Sequence, residues 1–307
     1  METRFLDVTD QQQISSFCRF WLNRFSRPTQ SHLYHYTDSS GLIGILQSKM
    51  LRASNIAYLN DAMEYKHVAD IAQARIHDKM SDCCSQFSKL LLKGAYHELL
   101  LGQADVPNVF VSCLSEERDC LSQWRGYGGP HAGFAIRFDV QELMRSLENT
   151  GIHLLPCNYD EALHKEFVDE ALQMSLTVTQ ARFEKLGLSS EEDVRAYIKD
   201  VLSYIFWNLD WFAPALKHSS FAQENEWRLL RRGAEVGDIE FLAKPTMVSG
   251  YVPVQCRRAD GLLPISEVMV GPSKNADLSA FAIKALLQKL GYKDVPVTRS
   301  RSPYRAV

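Results

Sequence analysis

Apolar positions change their period several times along this 307-residue chain. Ile14, Phe17, Cys18, Trp21 and Phe25 recur at the three- and four-residue spacing of an amphipathic helix, which Pro28 ends. A short apolar strand follows over Leu33 to Thr37. After it comes a helix opened by Ser39 or Ser40, with Leu42, Ile45 and Leu46 facing inward. Leu51 to Ser54 reads as a second strand. From Asp61 to about Leu101 the pattern is mostly helical, closing at Gly102. NVFVSCLS then reads as a strand, DCLSQWRGYG as a short helix entering a glycine-rich loop, and GFAIRFD as a strand with alternating faces. Residues 160–216 form a second helical block, broken near Gly187, Leu188, Ser189 and Ser190. EWRLLRR, YVPVQCR and PISEVMVG are strand-like, and a last helix, Ala276 to Leu290, stops at Gly291.

No Pro-, Gly- or Ser-rich linker, repeat or low-complexity tract divides these segments. Strands at both ends and in the middle, with long helices between them, predict a single α+β domain over residues 1–307. Its core is a mixed sheet with helical insertions at about 61–102 and 160–216. A hydrophobic share of 46% with 23% charged residues excludes a disordered or fibrous chain. The net charge of −3 argues against a broad basic face for nucleic acid. Seven cysteines without a CxxC pair suggest neither a disulfide framework nor a structural zinc site. METRFLDVTD lacks the basic and apolar parts of a secretory signal, and no run approaches the length of a membrane span. The expectation is a cytoplasmic protein with no membrane partner.

Several chemistries fail on spacing. There is no GxxxxGK[ST], GxSxG, or HxE with PCxxC, and in GYGGPHAG His131 stands where GxGxxG needs its third glycine. Three segments carry more. In LYHYT, His35 lies on one face of a strand and Tyr34 and Tyr36 on the other; the plain alternative is a core histidine. In FVSCLSEERDCLSQWRGYG, Ser112 and Ser115 lie on or just after a strand, with Trp124 and Tyr127 on the helix beyond. There the plain alternative is aromatic core. In FAQENEWRLLRR, Glu224 and Glu226 are two apart, so a strand would aim both carboxylates at one face, at a repulsive cost unless a partner compensates. Arg228 or Arg231 are candidate partners, and this is where a catalytic acid would sit.

LYHYT with GLIGIL and LRAS, YLNDAMEY, VSCLSEERDCLSQWRGYG with HAGFAIRFD, ENEWRLL and the tail SRSPYR, in that order, resemble the family catalogued as domain of unknown function 2971. That family in turn resembles a divergent branch of the ADP-ribosyltransferases, which share a first-strand Arg or His, a middle Ser or Tyr and a late Glu. The resemblance implies a mostly antiparallel sheet core of ADP-ribosyltransferase type. It also implies NAD as substrate, with His35 contacting the ribose or carboxamide and Ser112 or Ser115 as the middle serine. Tyr127 or Tyr36 would stack on nicotinamide, and Glu226 would be the late glutamate, with Glu224 completing an ExE-like pair. Thr37 and Trp124 join the binding set, and Arg52 is a candidate for the pyrophosphate, with a salt-bridge role as its alternative.

The implied activity is mono-ADP-ribosyl transfer, with Glu226 stabilising the ribosyl cation as the nicotinamide–ribose bond breaks. A toxin or phage-defence effector is the biological role the resemblance suggests. The acceptor stays open between protein, nucleic acid, small molecule and water, the last giving an NAD glycohydrolase. Two other readings remain: a non-catalytic nucleotide-sensing module, and a metal-independent ribonuclease built on Arg125 and His131.

Overall fold

The structure, a computed structural model, describes residues 8–59, 64–82, 85–102, 108–128, 133–244 and 246–302. Its helices are α1 (Val8–Phe25), α2 (Ser39–Ser48), α3 (Glu64–Asp82), α4 (Gln86–Gly102), α5 (Leu121–Tyr127), α6 (Val140–Ser146), α7 (Glu161–Leu186), α8 (Glu191–Phe212) and α9 (Ala276–Lys289). Its strands are β1 (His32–Thr37), β2 (Leu51–Asn55), β3 (Val109–Ser115), β4 (Phe134–Asp139), β5 (Ile152–Pro156), β6 (Glu226–Arg232), β7 (Glu240–Ala243), β8 (Val248–Val254), β9 (Ile265–Val270) and β10 (Val297–Arg299).

Local chemistry sets the boundaries. Asp38, not Ser39 or Ser40, caps α2: its carboxylate accepts from Gly41 N at 2.7 Å and Ser40 Oγ at 2.8 Å. A carboxylate at this position satisfies free amides at the positive end of the helix dipole. Asp160 caps α7 in the same way, through the amides of Ala162 and Leu163. Gly187 closes α7 at φ 60°, the left-handed conformation that glycine adopts without a Cβ penalty, at the break visible in the sequence.

The chain divides into two compact units, each assembled from three segments. The first takes residues 1–26, 60–107 and 158–219, and its described elements are α1, α3, α4, α7 and α8. Its core gathers Trp21, Phe25, Phe167, Val168, Leu91 and Tyr197. Trp21 is fully buried edge-on to Phe167, and its indole N–H donates to Glu170 at 3.1 Å. Both helical blocks read from the sequence fall in this unit, joined by α1.

The second unit takes residues 27–59, 108–157 and 220–307 and holds the sheet. Strands run in the order β10-β9-β4-β1-β3-β2-β8-β7, with β6 paired to β3 and β5 to β6. Among the described strand pairs of this sheet β9–β10 is parallel and the others antiparallel, so the sheet is mixed and mostly antiparallel. β3 is its branch point. β6 lines one edge of β3 throughout, from Val109↔Arg232 to Ser115↔Glu226. The other edge is shared between β1, which meets it at Ser115, and β2, which meets it at Val111 and Phe110. The sheet therefore forks beside Ser112, Cys113 and Leu114.

Alternation gives the sheet two faces. Leu33, Phe110, Leu114, Ile136, Leu229, Val254 and Val268 point into the main core, where Leu42 and Leu46 of α2, Leu143 of α6 and Leu287 of α9 cover them. Tyr34, Tyr36, Ala135 and Met269 point the other way and pack with Trp124 of α5.

Candidate functional site

The strands carrying His35, the two serines and Glu226 are immediate neighbours, in the order β1-β3-β6. Residues paired across strands share a face. Tyr34↔Ser115 and Ser115↔Glu226 therefore set three side chains in one row. The row continues through Arg137 on β4 and Glu267 on β9. At roughly 4.8 Å per strand it spans about 19 Å across five strands.

Glu226 opens β6 and is 2% exposed, as is Arg228. Two positions apart on one strand face, they form a bidentate pair: Arg228 Nε donates to Glu226 Oε1 at 2.8 Å and Nη2 to Oε2 at 3.0 Å. Glu224 does not share that face. It ends a 3-10 turn (Ser219–Glu224), and Asn225 then turns the chain at φ 41°, so the strand period starts only at Glu226. Asparagine tolerates this left-handed region better than most residues. Its side-chain amide is also anchored on Glu117 Oε1 at 2.8 Å.

The two serines diverge. Ser115 donates to the Glu224 carbonyl at 2.6 Å and accepts from Glu117 N at 3.0 Å, so its hydroxyl ties the turn before β6 to the loop after β3. Ser112 shares the face of Phe110 and Leu114; it is 2% exposed and its hydroxyl has no hydrogen-bond partner. His35 lies on that same core-side face, two residues from Leu33. Its Nδ1 is 2.9 Å from the Cys113 carbonyl in the fork. A carbonyl only accepts, so Nδ1 carries the proton and Nε2 a lone pair. Burial lowers the His35 pKa, and the bond to Cys113 opposes this only in part. The ring is neutral at pH 7. His35 and Glu226, both implied by the resemblance to act on NAD, leave opposite faces of the sheet, so strand alternation does not set them in one cleft.

The aromatic residues act as braces. Tyr36 is 5% exposed; its hydroxyl donates to Glu117 O at 2.6 Å and accepts from Cys120 N at 3.2 Å. Trp124 stands edge-on to it at 4.7 Å and donates to Asp119 Oδ1 at 2.7 Å. Both are buried, which removes them as open stacking platforms, while Tyr127 is half-buried against the same cluster. Thr37 pairs with Phe134 at the end of β1, its hydroxyl in the space that a side chain at Gly41 would need. Arg52 lies on β2 opposite Pro253, with its guanidinium over the Tyr251 ring at 5.3 Å and beside Gly44. No described contact joins Arg52 to Glu226. Of the rival ribonuclease pair, His131 lies outside the described residues.

The sequence reading missed the far end of the row. Glu267, 3% exposed, takes Arg118 Nη2 at 2.5 Å and Nε at 3.3 Å, and the Thr298 hydroxyl at 2.5 Å. Burial alone would raise its pKa; the bonds from Arg118 and Thr298 and the charges of Arg118 and Arg137 outweigh it and hold the carboxyl below its ordinary range. Arg137 Nη1 stands 3.8 Å from Glu267, and Nη2 lies 2.9 Å from both ring nitrogens of His32. The His32 pKa is lowered by burial first and by Arg137 second. The available signal was a charge in the interior of each apolar strand, Arg137 in FAIRFD and Glu267 in ISEVMV, since charges rarely enter such strands unpaired.

Among the described residues no group of three or more ligand side chains could hold a metal ion, and no helix is long and apolar enough to cross a membrane. Residues 123–229, from α5 into β6, match the model of a family described as protein of unknown function, DUF2971. This supports the family resemblance carried by the sequence motifs. No curated protein and no solved structure matches the chain.

Proposed function

We propose that this protein is an NAD-consuming mono-ADP-ribosyltransferase in which Glu226 stabilises the ribosyl cation. The observation that carries the reading is the row Tyr34–Ser115–Glu226 across β1, β3 and β6. It brings the first strand, the serine strand and the late glutamate, far apart in sequence, into adjacency, and it favours Ser115 over Ser112 as the middle serine.

In the proposed reaction the bond between ribose C1′ and the nicotinamide nitrogen breaks, and its electron pair leaves with nicotinamide. Positive charge builds on the sugar. An acceptor O–H or N–H then bonds to C1′ and releases its proton to solvent. Arg228 holds both carboxylate oxygens of Glu226 and so fixes the orientation of its charge. A fixed charge aimed at the developing cation is worth roughly 3–4 kcal/mol. His35 contributes as a positioning residue, holding the Cys113 carbonyl and thus β3 at the fork. A toxin or phage-defence role follows from the resemblance alone, and the acceptor is a protein, a nucleic acid, a small molecule or water.

One observation favours a second reading. Glu226 and Arg228 satisfy each other while almost wholly buried, as a nucleotide-binding module without turnover would allow. Binding and cleavage of NAD measured in parallel on the parent, Glu226→Gln and Glu226→Asp separate the two. The transferase reading expects the parent to cleave NAD and both variants to lose cleavage while retaining binding. Glu226→Asp keeps the charge for Arg228 and guards against misfolding. Binding without cleavage in the parent selects the module.

A further inference from the structure

At the far end of the polar row one arginine is poorly supplied with acceptors. Two guanidinium groups, Arg118 and Arg137, converge on the one carboxylate of Glu267. Arg118 claims both carboxylate oxygens, and Thr298 adds a third bond. Arg137 is left with one oxygen at 3.8 Å and an imidazole. Its Nε is buried with no acceptor at all. Asp119 and Asp139 add negative charge nearby but make no hydrogen bond to Arg137. Asp119 accepts from Trp124, from Ser300 at 2.6 Å and from Arg301 N at 2.8 Å, and Asp139 accepts from Glu142 N at the start of α6. Arg137 therefore has guanidinium donors to offer a ligand that brings its own oxygen acceptors.

Access and chemistry agree. The side chains of Arg118 and Arg137 are 49% and 30% exposed, against 4% for Glu267, so the cationic surface faces outward and the anion lies beneath. We infer that Arg118 and Arg137, with Tyr34 and His32 beside them, form a binding site for a phosphoryl oxyanion. Two planar guanidinium groups suit tetrahedral oxyanions, to which each can donate two bonds. His32 carries no charge at neutral pH, so selectivity rests on the arginines. Tyr34 sits on β1 directly opposite Arg137 in the row that leads to Glu226; Arg137 is three strand steps, about 14 Å, from Glu226 and Tyr34 two, about 10 Å. The site shares no residue with the Glu226–Arg228 pair.

The oxyanion is either free phosphate or the diphosphate of a small nucleotide. Isothermal titration at low salt with inorganic phosphate, ADP-ribose and adenosine, on the parent and Arg137→Gln, tests the site and separates its sources. The expected result is binding of phosphate and ADP-ribose by the parent, no binding of adenosine, and at least a tenfold loss for both anions in Arg137→Gln. His32 ring resonances should move with phosphate in the parent and stay still in the variant, which a merely structural Arg137 would not produce. ADP-ribose binding at least tenfold tighter than phosphate assigns the nucleotide source, and equal affinities assign free phosphate. If Arg137→Gln fails to fold, Arg137→Lys retains the charge, loses the fork, and should still weaken both anions. Absence of phosphate and ADP-ribose binding in the folded parent, or unchanged affinity in a folded variant, overturns the inference. A parent that binds phosphate yet releases no nicotinamide keeps this site and discards the transferase reading.

Discussion

Arg228 shows at the scale of one residue how position, partner and burial combine. It follows Glu226 by two on a strand, shares its face and meets it with both ends of its fork. Removing one member of such a pair leaves a buried charge and costs about 3–5 kcal/mol. Arg228→Met should therefore lower stability by that amount in denaturant melts. Combining it with Glu226→Leu should cost less than either single change. Equal, additive losses would show that the two side chains do not share one interaction. A second residue-scale expectation concerns protons. His164 is fully buried, and burial pushes its pKa down to about 4, with the Asn158 carbonyl opposing. The unfolded chain binds this proton at higher pH than the folded one. The stability His164 supplies is thus present above its unfolded value near 6.5 and lost as pH falls toward 4, on the order of 3 kcal/mol for the full window. His164→Gln should flatten stability against pH in that window, and an unaltered slope would show that His164 does not carry it.

At the scale of elements, close backbone approach decides what the sheet tolerates. A Cβ at Gly271, after β9, would lie 2.8 Å from the Gly133 carbonyl and 2.9 Å from the Trp124 ring. The carbonyl accepts from Gly271 N at 2.8 Å and cannot retreat freely. Gly271→Ala should lower stability by about 1–3 kcal/mol in thermal melts, as overpacking does; an unchanged melting temperature would contradict this packing. β1, β2, β3, β4, β6, β8 and β9 were legible because their apolar residues alternate or run together between turn signals. β5, β7 and β10 were not. IHLLP ends in proline, EFLA is too short for a period, and VTR acquires strand form only by pairing with β9. The Glu224–Glu226 face was misread for a related reason: nothing in the run QENEW announces that Asn225 takes a positive φ. His35 and Ser112 were correctly seen as strand residues, but their common turn toward the core depends on the register with Leu33 and Phe110.

At the scale of the molecule, each compact unit is stitched from three separate stretches. The two helical blocks were visible as local periodicity. That α1 joins them was not, because its attachment runs through distant partners: Trp21 on Phe167, Trp21 Nε1 on Glu170 and Arg24 on Glu166 at 2.7 Å. The polar row was hidden for the same reason, since Tyr34, Ser115, Arg137, Glu226 and Glu267 meet only through strand pairing. The proposed activity depends on one end of that row. The most direct test is nicotinamide release, followed by mass spectrometry, from NAD incubated with the purified protein and with Glu226→Asp, each with and without cell lysate. The account predicts release by the parent and its loss in the folded variant, with ADP-ribose free if water is the acceptor and attached to another molecule if it is not. No release from the parent under either condition, or equal release by the variant, would contradict it.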